Sequence, residues 1–355
     1  MSANNQQQPE LMPLEKLTRP NIRKLSPYSS DRNDTEASGL IYLDANESPT
    51  GACNRYPDGM QTRLKAQIGK MKSWPEDQVF IGNGSDEIID LCFRIFCRPG
   101  VDTAVTYGPT FSMYRVIAQL NDVAMEELPL DAGFQPNPVL LQPFRADETA
   151  RLLLLCSPNN PTGNSFDGLE ELVRNFRGIT LIDEAYIDFS ERPSFLEKLK
   201  AYPNVIICQT LSKAHALAGA RVGIAFAAKE IIRLFNAARM PYNISTLNQA
   251  AALNSLNEED KFRQRINTML QERAKVIAAL SVNPLVELIY PTDANFILIR
   301  VADADRFCRA LRQKGILVRS QSSAMPGCVR ISIGAPHENE RLISVVNTLS
   351  KQPAA

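Results

Sequence analysis

The segment TLSKAHALAGARVG (210–223) places Lys213 directly after Ser212 and eight residues before Arg221. A lysine is ordinarily a solvated surface charge, because such side chains are almost never buried without a partner. Lys213, however, follows the apolar run NVIIC (204–208), which reads as a strand. Loops at the carboxyl ends of such strands are where open α/β sheets collect ligands. An amine held there with a depressed pKa can attack a carbonyl, and the planar guanidinium of Arg221 suits a phosphate. An aldehyde for the lysine and a phosphate for Ser212 and Arg221 together describe pyridoxal 5′-phosphate.

A pyridine used as an electron sink needs a carboxylate beside its ring nitrogen. LIDEAYIDF (181–189) supplies Asp183 at the end of an apolar run, with Tyr186 three residues on. Alone, an acid after a strand is more often a helix cap or a solvated turn. SPNNPTG (157–163) changes the balance, because its tight turn sets the amide of Asn160 at the end of LLLLC. In GNGSDE (82–87), the backbone N–H groups of Gly84, Ser85 and Asp86 open an apolar helical run and form a cradle for a phosphate. Tyr107 in TYGPTF is expected to lay its ring on a flat cofactor, with core packing as the rival reading. The two histidines, His215 and His337, belong to no metal or nucleophile cluster, and no metal site is expected.

These residues need elements to hold them. Short β-rich runs, QVFIGNG (78–84), TAVTYGP (103–109), RLLLLCSPNN (151–160), GITLIDEAY (178–186) and NVIICQTLSK (204–213), alternate with amphipathic stretches. That order predicts an α/β fold with a mostly parallel sheet sandwiched by helices. After about residue 260 a long charged helix, ANFILIRV (294–301), a second helix, ILVRS and CVRISIG read as a smaller α/β module. At 355 residues the chain is long enough for both. Its 39 basic and 39 acidic residues cancel, so no global field draws nucleic acid or an anionic membrane, and any anion site must be built locally. Seven cysteines without a CxxC argue against a disulfide framework or zinc and fit a reducing cytoplasm. No cleaved signal or membrane span is expected in the polar N-terminal text.

The ordered set GNGSDE, TYGPTF, SPNNPTG, IDEAY, SKAHALAGARVG and VRISIG resembles the fold type I, class II pyridoxal-phosphate aminotransferases over about residues 19–346. Within them, RPNIRKLSPYSS, LDANESP and NRYPD resemble the opening elements of the histidinol-phosphate aminotransferases. The resemblance implies that Lys213 carries the cofactor and shuttles a proton, that Asp183 pairs with the ring nitrogen, and that Asn160 and Tyr186 bond the phenolate oxygen. It places Ser212, Arg221 and the amides of Gly84, Ser85 and Asp86 on the cofactor phosphate, and Tyr107 on the ring. Tyr56 in NRYPD resembles a tyrosine reaching the neighbouring subunit's cofactor, which implies a homodimer. The implied substrates are L-histidinol phosphate and 2-oxoglutarate or glutamate, with Arg330, Arg319, Tyr28 and Asn46 as their ligands. The implied organisation is a flexible tail over 1–20, a segment over 21–45 joining the small domain, a large cofactor domain over 46–260 and a small domain over 261–355. A threonine-phosphate decarboxylase and a broad or aromatic aminotransferase share nearly all these motifs. A non-catalytic cofactor-binding regulator is disfavoured by the intact Lys213 and Asp183 and by the lack of an N-terminal basic helical segment.

Overall fold

The computed structural model describes residues 10–26 and 40–351. Tyr28 lies outside them. Seven strands form the larger sheet: β1 (Val79–Asn83), β2 (Thr103–Gly108), β3 (Ala124–Pro129), β4 (Ala150–Cys156), β5 (Ile179–Asp183), β6 (Val205–Thr210) and β7 (Val222–Phe226), in the order β1-β7-β6-β5-β4-β2-β3. All run parallel except β7, which lies antiparallel between β1 and β6. The five strands read from sequence are present, while β3 and β7 carry too little apolar text or too many small residues to stand out.

Both faces of this sheet are covered, which explains its unbroken apolar runs. In β4, Leu152 and Leu154 enter one core with α3 (Gly84–Phe96), whereas Leu153 and Leu155 enter another with α2 (Thr62–Lys72). The first core also takes Met12, Leu17 and Ile22. The segment expected as a tail is therefore packed from residue 12 onward, with Leu17 2 % exposed in the short helix α1 (Leu14–Leu17).

The second sheet is antiparallel, in the order β10-β11-β9-β8: β8 (Leu288–Ile289), β9 (Phe296–Arg300), β10 (Arg319–Ser320) and β11 (Cys328–Ser332). The charged text after residue 258 forms the 23-residue helix Glu259–Ser281, whose Val276 and Leu280 pack with Ile297, Ile299 and Val329. Tyr186, Phe189, Ala214, Ala294 and Phe296 form a seam between the two sheets. No helix among the described residues is long and apolar enough to cross a membrane.

One close approach fixes the catalytic edge. Gly223 of β7 lies against the start of α3, where an added Cβ would come within 2.5 Å of the Gly84 carbonyl carbon and 2.6 Å of the Ser85 nitrogen. Gly223→Ala is expected to destabilise the protein by about 1–3 kcal/mol, the usual cost of overpacking. Because the strain falls on the helix N-terminus, cofactor affinity should fall with it. Chemical denaturation and a cofactor titration of the variant check both effects.

Candidate active site

Strands β1, β4, β5 and β6 end at one edge of the larger sheet, and β7 begins there. Their loops enclose a cleft of about 120 Å³ lined by Ser85, Asp86, Phe111, Cys156, Asn160, Asp183, Ala185, Tyr186, Thr210, Ser212, Lys213, Ala218 and Arg221. Segments up to 135 residues apart in sequence thus meet, as in the Arg221 to Asp86 contact.

Asp183 forms the floor. It is 3 % exposed and accepts from the Tyr114 hydroxyl at 3.0 Å and the Ala185 N–H at 3.0 Å. Burial outweighs those donors and pushes its carboxyl from the ordinary 3.8 up to about 6. A buried carboxylate with two neutral donors, and no ion-pair partner among the described residues, suits a protonated ring nitrogen arriving with a ligand. Tyr114, on α4 (Met113–Leu120), escaped the sequence reading because its helical position reads as ordinary core.

Lys213 stands opposite, its Nζ 5.6 Å from the centre of the Tyr186 ring and its side chain open to the cleft. Partial burial first, and then the Arg330 guanidinium, hold its ammonium below the ordinary lysine range, with Asp183 opposing them. Tyr186 packs edge-on against Phe296, and burial raises its phenol well above the usual value. Asn160 is 9 % exposed, and its Oδ1 accepts from Nη1 of Arg330.

The anion end is formed where α3 begins. Gly84 adopts φ +76° in close contact with Arg221, so that an added Cβ would fall 2.4 Å from Arg221 Nη2. Arg221 Nη2 donates to Asp86 Oδ2 at 3.0 Å, and the Thr210 hydroxyl donates to Ser212 Oγ at 3.0 Å. A helix N-terminus, two serines and a guanidinium make a donor set for a phosphate. Together with the amine and the buried acid, these residues fit pyridoxal 5′-phosphate.

Tyr107 is a correction. It is 1 % exposed inside β2, within the core, and its hydroxyl donates to the Asn137 carbonyl at 2.8 Å. Phe111, in the turn that follows, lines the cleft instead. The clue was TYGPTF itself: Gly-Pro ends the strand, so the aromatic beyond it is the one free to face a ligand.

Arg330 reaches this cleft through Asn160, with its guanidinium 5.4 Å from the Phe296 ring centre. Arg319 is exposed on β10 and pairs with Arg330 across the strands. Tyr56 and Asn46 are not brought to Lys213. They line a separate groove of about 530 Å³, where Tyr56 stacks on Tyr242 at 4.6 Å and remains 52 % exposed. His215 stacks on Phe262 and sits beside Ser255 in the interior, and His337 is exposed near a helix start, so neither serves the cleft.

The family of class I and II aminotransferases matches residues 39–349. The chain belongs to that family. Among individual aminotransferases, a histidinol-phosphate aminotransferase of Parabacteroides distasonis is 44 % identical over 341 residues, covering 95 % of this chain and 99 % of that one. One from Flavobacterium psychrophilum is 44 % identical over 94 % of this chain and 98 % of its own. The solved histidinol-phosphate aminotransferase of Sinorhizobium meliloti, in complex with pyridoxal-5′-phosphate, superposes with a TM-score of 0.77 at 23 % identity, covering 86 % of this chain and 85 % of that one. At that identity the likeness speaks for the aminotransferase fold alone.

Proposed function

We propose that the chain transfers an amino group between L-histidinol phosphate and 2-oxoglutarate, giving imidazole acetol phosphate and glutamate. The observation carrying this reading is the 44 % identity over 95 % of the chain to a histidinol-phosphate aminotransferase. Pyridoxal 5′-phosphate, when bound, supplies an aldehyde for the substrate amine and a ring that accepts electron density. Asp183 would keep the ring nitrogen protonated, relieving its own buried charge. Lys213 Nζ, with its lowered proton affinity, would move the proton between substrate and cofactor carbons. Asn160 and Tyr186 would donate to the phenolate oxygen, and Ser85, Ser212, Arg221 and the N–H groups from Gly84 to Asp86 would hold the phosphate. Phe111 would cover the ring. The division is a large cofactor domain over 46–260 and a small domain over 261–355; the segment over 21–45, expected to join the small domain, instead puts Ile22 into the core of the larger sheet, and a cytoplasmic location fits seven free cysteines.

Arg330 and Arg319 are assigned to the substrate anions. Arg330→Ala is expected to slow both half-reactions by roughly 10–100-fold, corresponding to one charge-assisted contact of about 1.5–3 kcal/mol. Arg319→Ala should affect histidinol phosphate more than glutamate. Single-turnover kinetics with histidinol phosphate, unphosphorylated histidinol and glutamate test the assignment. Equal use of histidinol and its phosphate by the native enzyme would overturn it.

A homodimer belongs to the same proposal. Tyr56 lies away from its own chain's Lys213 cleft, and Ile41, Leu43, Met240 and Leu247 are between 66 % and 88 % exposed, as expected of a face covered by a second copy. Mixing inactive Tyr56→Ala chains with inactive Lys213→Ala chains should restore activity, since each heterodimer has one site with both residues. No recovery after verified subunit exchange would place Tyr56 within its own chain's function.

A further inference from the structure

A second cavity, of about 300 Å³, opens at the opposite edge of the larger sheet, where β2, β4 and β5 begin. That volume is at the small end of the roughly 300–1,000 Å³ range of ligand sites. Its walls carry six cationic side chains, Lys16, Arg19, Arg23, Arg98, Arg151 and Arg177, against the carboxylates of Asp102 and Glu148. In a chain with 39 charges of each sign, this concentration is local.

The carboxylates do not balance it. Asp102, 1 % exposed, is fully engaged by Arg98, through Nε to Oδ2 at 2.9 Å and Nη2 to Oδ1 at 2.6 Å. Arg151 shares the same acid, its Nε 3.5 Å from Oδ1. Arg151 is only 8 % exposed, and its Nε makes no hydrogen bond. A buried guanidinium sharing its counterion with another costs free energy unless a further anion arrives. Glu148 is exposed.

The N-terminal arm forms one wall, held by the same arginines. Arg151 Nη1 donates to the Lys16 carbonyl at 2.8 Å, and Arg177 Nε donates to the Glu10 carbonyl at 2.8 Å. The Lys16 ammonium and the Arg23 guanidinium have no ion-pair partner among the described residues, and both residues line the cavity and are exposed. A concave surface lined by one sign of charge focuses its field on a small ion.

We infer that this cavity binds a compact polyanion, a phosphate group, and that its occupant fastens residues 10–24 to the start of the sheet. Guanidinium groups bond phosphate through two parallel contacts, which selects it over chloride. The site lies across the sheet from the Lys213 cleft and is separate from both the cofactor phosphate and the substrate.

Calorimetric titration of the cofactor-loaded enzyme with inorganic phosphate, at constant ionic strength set by chloride, is expected to show saturable binding and a rise in Tm. Lys16→Ala/Arg23→Ala should weaken that binding by about tenfold or more, through loss of charge-assisted contacts, with kcat and KM for amino transfer unchanged. Arg330→Ala, at the other edge, should leave phosphate affinity within about twofold, since its site is independent. Ribose 5-phosphate in a parallel titration separates sources: tighter binding than inorganic phosphate marks an ester as the ligand, and equal binding marks the free ion. Either keeps the site. An affinity unchanged in the double variant, lost in Arg330→Ala, or matched by chloride would overturn it.

Discussion

Lys213→Ala is expected to lower kcat for amino transfer by about 10⁴-fold or more, the upper end of what one positioned proton-transfer group contributes. The protein should remain folded, because the Lys213 side chain is open to the cleft. Cofactor should still bind without a covalent link, since Asp183 and the phosphate donors at the start of α3 remain in place. Single-turnover kinetics at saturating cofactor, with equilibrium dialysis to establish binding, check both halves. Turnover within tenfold of the native enzyme would remove Lys213 from the chemistry.

Asp183→Asn is expected to cost roughly 10²–10⁴-fold in kcat, corresponding to the 3–5 kcal/mol lost when one partner of a buried charge pair is removed. The same residue has a signature in the cofactor-free protein. The displacement of its carboxyl from 3.8 to about 6 is worth about 3 kcal/mol. Between these values the folded state holds a proton that the unfolded chain releases, so the contribution of Asp183 to stability falls as pH rises from about 4 to 6. His215 works in the opposite direction. Burial lowers it from 6.5 to about 4, so stability increases as pH rises through that window. The two oppose each other in the native protein. The difference between native and Asp183→Asn denaturation midpoints should therefore shift in the variant's favour as pH rises from 4 to 6, and a difference constant with pH would contradict the buried-charge account.

The cofactor motifs were legible because each follows an apolar strand and ends in residue types that few other purposes would bring together. Asn160, Asp183 and Lys213 sit where β4, β5 and β6 stop, as those runs imply. Tyr107 was misplaced for a reason of the same kind: it lies inside β2, where alternation turns it into the core, and only the turn after Gly108 releases an aromatic to the cleft. Tyr114 was invisible because a buried tyrosine on an amphipathic helix looks like packing until its hydroxyl is seen to meet Asp183. The pairing of Arg319 with Arg330 depends on strand register, which local text does not specify.

The single reversed strand in the larger sheet has a consequence for how the site can change. A parallel partner after β6 would need a crossover of a dozen or more residues and would begin at the opposite edge. By turning back, β7 begins where β6 ends, so one short loop delivers an amine at its first turn and a guanidinium at its last. Its partner on the other side, β1, runs with β6 and ends at that same edge, where α3 starts. The loop from Leu211 to Arg221 is thus a ruler between amine and phosphate. Adding or removing a residue within it would alter the spacing between those two functions while leaving Asp183, at the end of β5, and Asn160, in the turn after β4, where they are.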